Sequence, residues 1–172
     1  MDLRPSVVLI TLLLFLLVGC NKLPQGRSDQ LKTGPNLLSE ADTIKLAKEQ
    51  AKLLTVDKVE MDTAGPIYRV VFGLDANNVR KVIWVSDHIE YQENLDKGIS
   101  REDAMKIARE RGFDNNTGIQ LVYIPQKAKQ IASLRNSPSN IFWWVRTPDA
   151  EITHQLFLNF YYGTVVYEWE KK

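Results

Sequence analysis

The sequence predicts an α+β protein built from two copies of one unit, a helix followed by an antiparallel meander. Three observations carry this prediction. A helix-start pattern occurs twice, as SEADTIKLAKE from Ser39 to Glu49 and as SREDAMKIARE from Ser100 to Glu110. Short runs with apolar residues at alternate positions follow each copy, the period of a half-buried strand. Turn residues separate those runs.

In the paired helices Ser, Asp, Lys, Ala and Glu coincide, Ile44 matches Met105, Leu46 matches Ile107 and Lys48 matches Arg109. Ser39 and Ser100 are placed to cap the first turn. Asp42 and Asp103, three residues on, bring negative charge to the positive end of the helix dipole. Ile44, Ala47 and Ala51 form one apolar stripe, and Ala104, Ile107 and Ala108 form the other. Arg111-Gly112 supplies a C-terminal stop.

In the first half IYRVVFG places Tyr68, Val70 and Phe72 on one strand face. A turn at Asp75 to Asn78 leads to VRKVIWV, with Val79, Ile83 and Val85 on one face, and HIEYQ from His88 adds a further strand. The second half offers GIQLVYI, IFWWVR, HQLFLNFY and VVYEW, with turns at Pro148-Asp149 and Tyr162-Gly163. A helix must cover one sheet face, because neither element buries its apolar side alone. A unit of about 60 residues is marginal by itself, so the halves are expected to pack together.

The N-terminus is of a different kind. An apolar run from Val7 to Gly19, broken only by Thr11, is shorter than the ~20 residues that span a bilayer as a helix. It fits the apolar core of a secretory signal. Leu17-Val18-Gly19-Cys20 then resembles the lipobox of bacterial lipoproteins, in which the chain is cut before a cysteine that carries lipid. Cys20 is the only cysteine. The alternative is an uncleaved signal anchor that includes it, a single N-terminal transmembrane segment. Both readings place the rest of the chain outside the cytoplasmic membrane, where a domain without further cysteines folds without disulfides. Residues 21–38, rich in Pro, Gly and polar side chains, read as a tether with a flexible reach of roughly 25 Å.

Charge excludes one class of partner. Lys and Arg number 22 against 21 Asp and Glu, and no basic stripe appears, so nucleic acid is not an expected partner. No catalytic constellation stands out either. The histidines, His88 and His154, are not grouped with other ligands at metal spacing. Asp87 and His88 are expected to point apart as neighbours on a turn or strand end, and His154 reads as a packed or edge residue. Asp149 and Glu151 read as ordinary hairpin-tip acids. Neither a cofactor nor a metal is expected, and the chain reads as a non-enzyme.

The aromatic residues say more. Of sixteen Phe, Trp and Tyr, nine fall between Phe142 and Trp169. Trp143 and Trp144 face opposite sides of a strand. Leu156, Leu158 and Phe160 share one face, and Phe157 and Tyr161 the other. One helix cannot cover both faces. The second face is expected to pack on the first half, and, compatibly with that, some of Trp143, Phe157, Tyr161 and Tyr162 are expected to form an exposed patch that contacts a partner. The segment PQKAKQIASLRNSPSN, 125–140, is long for a hairpin connection. It reads as a solvated loop, made locally basic by Lys127, Lys129 and Arg135.

Taken with YRVVFGLDANNVRKVIWV, IFWWV and FLNFYYGTVV, the duplicated unit resembles tandem PepSY-type, cystatin-like domains. More closely, over roughly residues 40–172, it is similar to the TseB (YpmB-like) cell-wall elongation regulators of Gram-positive bacteria. It departs from them at Ser86-Asp87-His88, where a Gly-containing turn is usual, and in having a lipobox where they keep a membrane anchor. The N-terminal pattern thus reads as a signal peptide or signal anchor over 1–19 and a tether with lipidated Cys20 over 20–38, and the resemblance implies cystatin-like domains over 39–98 and 99–172. It also implies an extracytoplasmic protein on the outer face of the cytoplasmic membrane that binds a penicillin-binding transpeptidase of the elongation machinery. PepSY-type protease inhibition or chaperoning, or an accessory role beside an envelope signalling kinase, are the alternatives.

Overall fold

Both helix starts form as the sequence requires. The computed structural model describes residues 37–171 apart from 115, 148–151 and 153. The leader, Cys20, the tether up to residue 36 and the hairpin tip at 148–151 lie outside the described residues. Helix α1, Glu40–Gln50, begins at Ser39, whose hydroxyl oxygen accepts the Asp42 N–H at 3.1 Å and donates to the Asp42 carboxylate at 2.6 Å. Helix α2, Arg101–Arg109, begins with a reciprocal cap. Ser100 Oγ accepts the Asp103 N–H at 3.0 Å, and the Asp103 carboxylate accepts the Ser100 N–H at 3.4 Å. Gly112 ends it with φ +88°. The Gly112 N–H reaches the Arg109 carbonyl, and the Phe113 N–H reaches back to Ala108. This left-handed stop suits glycine, which has no Cβ to clash.

The buried face of α1 is turned slightly from the predicted stripe. Ala47 and Ala51 are buried, but Thr43 takes the central place and Ile44 is only half-buried. Residues 43, 47 and 51 lie on one line along the helix. Thr43 tolerates that position because its hydroxyl donates to the Ser39 carbonyl at 2.8 Å. In α2 the predicted stripe stands, with Ala104 and Ala108 fully buried and Ile107 packed beside them.

Each helix precedes one four-stranded antiparallel sheet in simple meander order. The first holds β1 (Leu53–Asp62), β2 (Tyr68–Asp75), β3 (Arg80–Val85) and β4 (Ile89–Asn94). The second holds β5 (Gly118–Tyr123), β6 (Ile141–Arg146), β7 (His154–Asn159) and β8 (Val165–Glu170). The sequence does not predict β1. It is an edge strand with register breaks at Leu53/Thr55 and Val56/Lys58, and only its end residues Leu53 and Asp62 are buried. These breaks and its broad exposure erase the alternation that marks a half-buried strand.

The described residues form one compact unit, and three apolar clusters explain why. α1 covers Val71, Ile83 and Val85 on the outer face of the first sheet. The inner face of that sheet, carrying Val70, Phe72 and Trp84, joins α2 and the Trp143, Leu156 and Leu158 face of the second sheet in one shared core. The outer face of the second sheet, with Phe142, Trp144 and Phe157, is covered by segment 125–140. That segment is not a solvated loop. It contains a short 3-10 turn at Gln126–Ala128 and helix α3, Ala132–Asn136, which buries Leu134. Each apolar side chain buried this completely contributes about 1.5–3 kcal/mol over leaving it exposed.

Hydrogen bonds fix the start of the second half, just after the junction, on its own sheet. The Ile99 N–H donates to the Phe160 carbonyl at 2.8 Å, and the Trp143 indole donates to the Ile99 carbonyl at 3.1 Å. Beside them Gly98 lies so near the Phe160 ring that an added Cβ would stand 2.4 Å from it.

Candidate docking surfaces

The four aromatic residues proposed from sequence fall into three environments. Trp143 is 6 % exposed in the shared core, and Phe157 is 3 % exposed beneath segment 125–140. Phe157 stacks on Trp144 at 5.9 Å between ring centres and meets the Phe142 edge at 6.2 Å. Both rings are therefore committed to packing. Tyr161 and Tyr162 share the β7–β8 turn, their rings 6.2 Å apart. Tyr161 is half-buried against the shared core rather than on the Phe157 face, because β7 has ended at Asn159 and the chain has turned. Its hydroxyl donates to Glu93 Oε2 at 2.8 Å. Burial and the Glu93 carboxylate push its phenol well above the ordinary tyrosine value. Tyr162 stands 77 % exposed.

Glu93 anchors this corner. Burial alone would raise its carboxyl. Lys97 at 2.8 Å, the Asn94 N–H and the Tyr161 hydroxyl outweigh that and hold it below its ordinary value. The corner thus presents one exposed aromatic ring, Tyr162, next to the Tyr161 side chain that Glu93 holds.

A second joint links the halves through a carboxylate. Asp62, at the end of β1, is fully buried and accepts the Tyr123 N–H of β5 at 2.8 Å and the Ala64 N–H at 3.0 Å. Burial pushes its carboxyl up to about 6 against the pull of those two donors. One residue earlier the Met61 carbonyl accepts the Gln120 amide. Sequence reasoning missed Asp62 altogether. Its carboxylate reads as a turn acid until β5 is known to lie beside β1.

The histidines take different roles. His154 stacks on Phe113 at 3.9 Å, and its Nε2 lies 3.2 Å from Glu168, which also binds Arg111 at 2.7 Å. Burial would raise Glu168, but the bonds from Arg111 and His154 hold it below its ordinary value. His88 and Asp87 do not point apart as expected. The tight β3–β4 turn brings His88 Nδ1 to 2.6 Å from Asp87, with Glu90 3.6 Å from Nε2. Their ligand atoms lie within 4.8 Å of one another, all exposed. Ser86 Oγ also bonds Asp87 and Glu90, so hydrogen bonds within the turn account for the cluster.

Three hollows flank these features. One of about 400 Å³ lies between the β1–β2 turn at Ala64-Gly65-Pro66 and segment 125–140, with Phe157 at its wall and Lys129 along its side. A second, of about 350 Å³, reaches Trp143 past Lys58 and Arg101. The third joins Met61 and Gln120 to Trp144 and Arg146, whose guanidinium lies 4.8 Å from the Trp144 ring. Met61 and Trp169, each 39 % exposed, are apolar surface that the sequence reading passed over. Trp169 pairs with Gln155, which receives the Trp144 indole N–H at 3.2 Å, so the two tryptophans share the outer face of the second sheet. Alternation along β6 and β8 carries that signal once the β7 register is known.

Among the described residues no helix is long and apolar enough to cross a membrane. No protein-family model and no curated protein matches the chain. A solved structure similar to it is the YpmB protein from Bacillus subtilis, with a TM-score of 0.55 and 20% sequence identity, covering 77% of this chain and 97% of that one. The chain therefore has a YpmB-like fold.

Proposed function

We propose that the protein is a non-enzymatic, membrane-held docking module that regulates cell-wall synthesis by binding a penicillin-binding transpeptidase of the elongation machinery. One observation carries the reading: the chain commits its chemistry-bearing residues to its own cohesion. Asp62 joins β1 to β5, His154 stacks on Phe113 and Glu93 braces Tyr161. What the described surface offers instead is large apolar side chains, Tyr162 and Leu54 the most exposed, with Trp169 the second exposed aromatic. Tyrosine and tryptophan are enriched in protein-binding hot spots. The YpmB-like fold and the sequence resemblance to TseB-type regulators support the choice of partner. Each helix-plus-meander half is a PepSY-type, cystatin-like domain in this reading. A lipid on Cys20, with a tether reaching roughly 25 Å, holds the two at the outer face of the cytoplasmic membrane.

The test is crosslinking in intact cells, purification, and identification of the attached proteins by mass spectrometry, with a Cys20→Ala version in parallel. An elongation transpeptidase is the expected product, lost or reduced with Cys20→Ala. Recovery of a protease or of a signalling kinase in its place would assign the fold to one of the alternative roles.

A further inference from the structure

Arg146 is a charged side chain that the fold orients and leaves without a counter-ion. It ends β6, half-buried, and its guanidinium lies 4.8 Å from the Trp144 ring. Its side chain makes no hydrogen bond or ion pair among the described residues. An aromatic face holds a guanidinium in place while its fork of N–H donors stays available. Trp144 is fixed in turn by Phe157, stacked at 5.9 Å, and by Gln155, which accepts its indole N–H at 3.2 Å.

The surroundings of Arg146 are those of a contact surface. Cross-strand pairing lines up Gly118, Arg146, Gln155 and Trp169 in one row from β5 to β8. Directly opposed residues of antiparallel strands share a face. Trp169, at the far end of the row, is 39 % exposed. At the near end Arg146, Trp144 and Gly118 line a hollow of about 350 Å³ together with Met61, itself 39 % exposed. No residue of segment 125–140 lines it, and its one acid, Glu60, is held by Lys58 at 2.6 Å. Trp, Met and Arg are the side chains enriched at protein interfaces. An unpaired guanidinium selects a carboxylate, which it meets with two parallel bonds. Four strands make the row about 14 Å long, the reach of about four extended residues.

We propose that this row is the contact site for an acidic segment of the transpeptidase, an extended stretch with a carboxylate on Arg146 and apolar side chains over Met61 and Trp169. The assignment rests on the reading of the chain as a transpeptidase-binding module and adds the chemistry of the contact. The experiment is biolayer interferometry of the full chain in detergent against the extracytoplasmic part of the elongation transpeptidase, at low and at high salt. Arg146→Gln removes the charge. It is expected to weaken binding at least about tenfold at low salt and to flatten the salt dependence. Because Arg146 also packs on Trp144, Gly118→Leu serves as the second variant. An added Cβ there stands 3.6 Å from the Arg146 carbonyl oxygen and 3.8 Å from its Cγ, which is ordinary contact. The strand therefore accepts the substitution while the longer side chain fills the hollow. It is expected to weaken binding by a similar factor with the thermal transition unchanged. Wild-type binding that either variant retains in full would overturn this site and leave the transpeptidase reading standing. No binding by the wild type would overturn both. Binding to phosphatidylglycerol vesicles that Arg146→Gln abolishes, with transpeptidase binding intact, would assign the guanidinium to a lipid surface and likewise overturn the proposal.

Discussion

Asp62→Asn removes the ionisable group from the joint between β1 and β5. In the folded protein the Asp62 carboxyl sits at about 6, against 3.8 for an unperturbed aspartate. A raised carboxyl favours its protonated form. Its contribution to stability is therefore fully present below the unfolded value of 3.8 and is lost as pH rises through about 6. A shift of this size corresponds to about 3 kcal/mol of pH-dependent stability. Glu93, Glu168 and Asp75, whose carboxyls are lowered, contribute slopes of the opposite sign. They are common to both proteins and cancel in the difference. Urea denaturation of the wild type and Asp62→Asn at half-unit steps from pH 4 to pH 7.5 measures the term directly. The wild type is expected to lose up to about 3 kcal/mol more than the variant across that range. The variant itself is less stable at low pH, because its amide nitrogen faces one of two N–H donors and cannot accept from it. Parallel pH profiles for the two proteins would refute the reasoning, since they would mean that Asp62 is not buried at the joint.

Other substitutions probe the remaining supports. Gly98→Ala forces a Cβ into the Phe160 ring and is expected to lower stability by roughly 1–3 kcal/mol in thermal denaturation. Leu134→Ala empties the centre of the cover over Phe142 and Phe157. It is expected to cost about 2–5 kcal/mol and to speed proteolysis within 125–140. Ser100→Ala removes the reciprocal cap of α2 and is expected to cost about 1 kcal/mol in urea unfolding.

The parts of the fold that local chemistry fixes were legible in the sequence. Ser39 and Ser100 with an aspartate three residues on announce both helix starts, and Gly112 announces an end. Adjacent Trp143 and Trp144 announce a strand buried on both faces. The parts that depend on distant neighbours were not legible. β1 hides because an edge strand with two register breaks buries only Leu53 and Asp62. Segment 125–140 reads as polar because Lys129 meets its partners, the carbonyls of residues 137 and 139, only after the chain has closed on itself. The candidate patch divides for the same reason. Trp143 and Phe157 are as aromatic in sequence as Tyr162, and which rings stay outside depends on what covers each sheet face. Ser86-Asp87-His88 turns tightly enough without glycine to let β4 pair with β3, so that departure from the family pattern leaves the meander intact.

The central claim is that this chain docks on a cell-wall transpeptidase through exposed aromatic surface. Its most direct measurement is the affinity of the purified full chain for the extracytoplasmic part of an elongation transpeptidase from the same cells, by biolayer interferometry, with Tyr162→Ala alongside. The account predicts saturable binding that weakens at least about tenfold in Tyr162→Ala, the loss expected of a hot-spot ring, with the thermal transition unchanged. No binding by the wild type at micromolar concentration would contradict it.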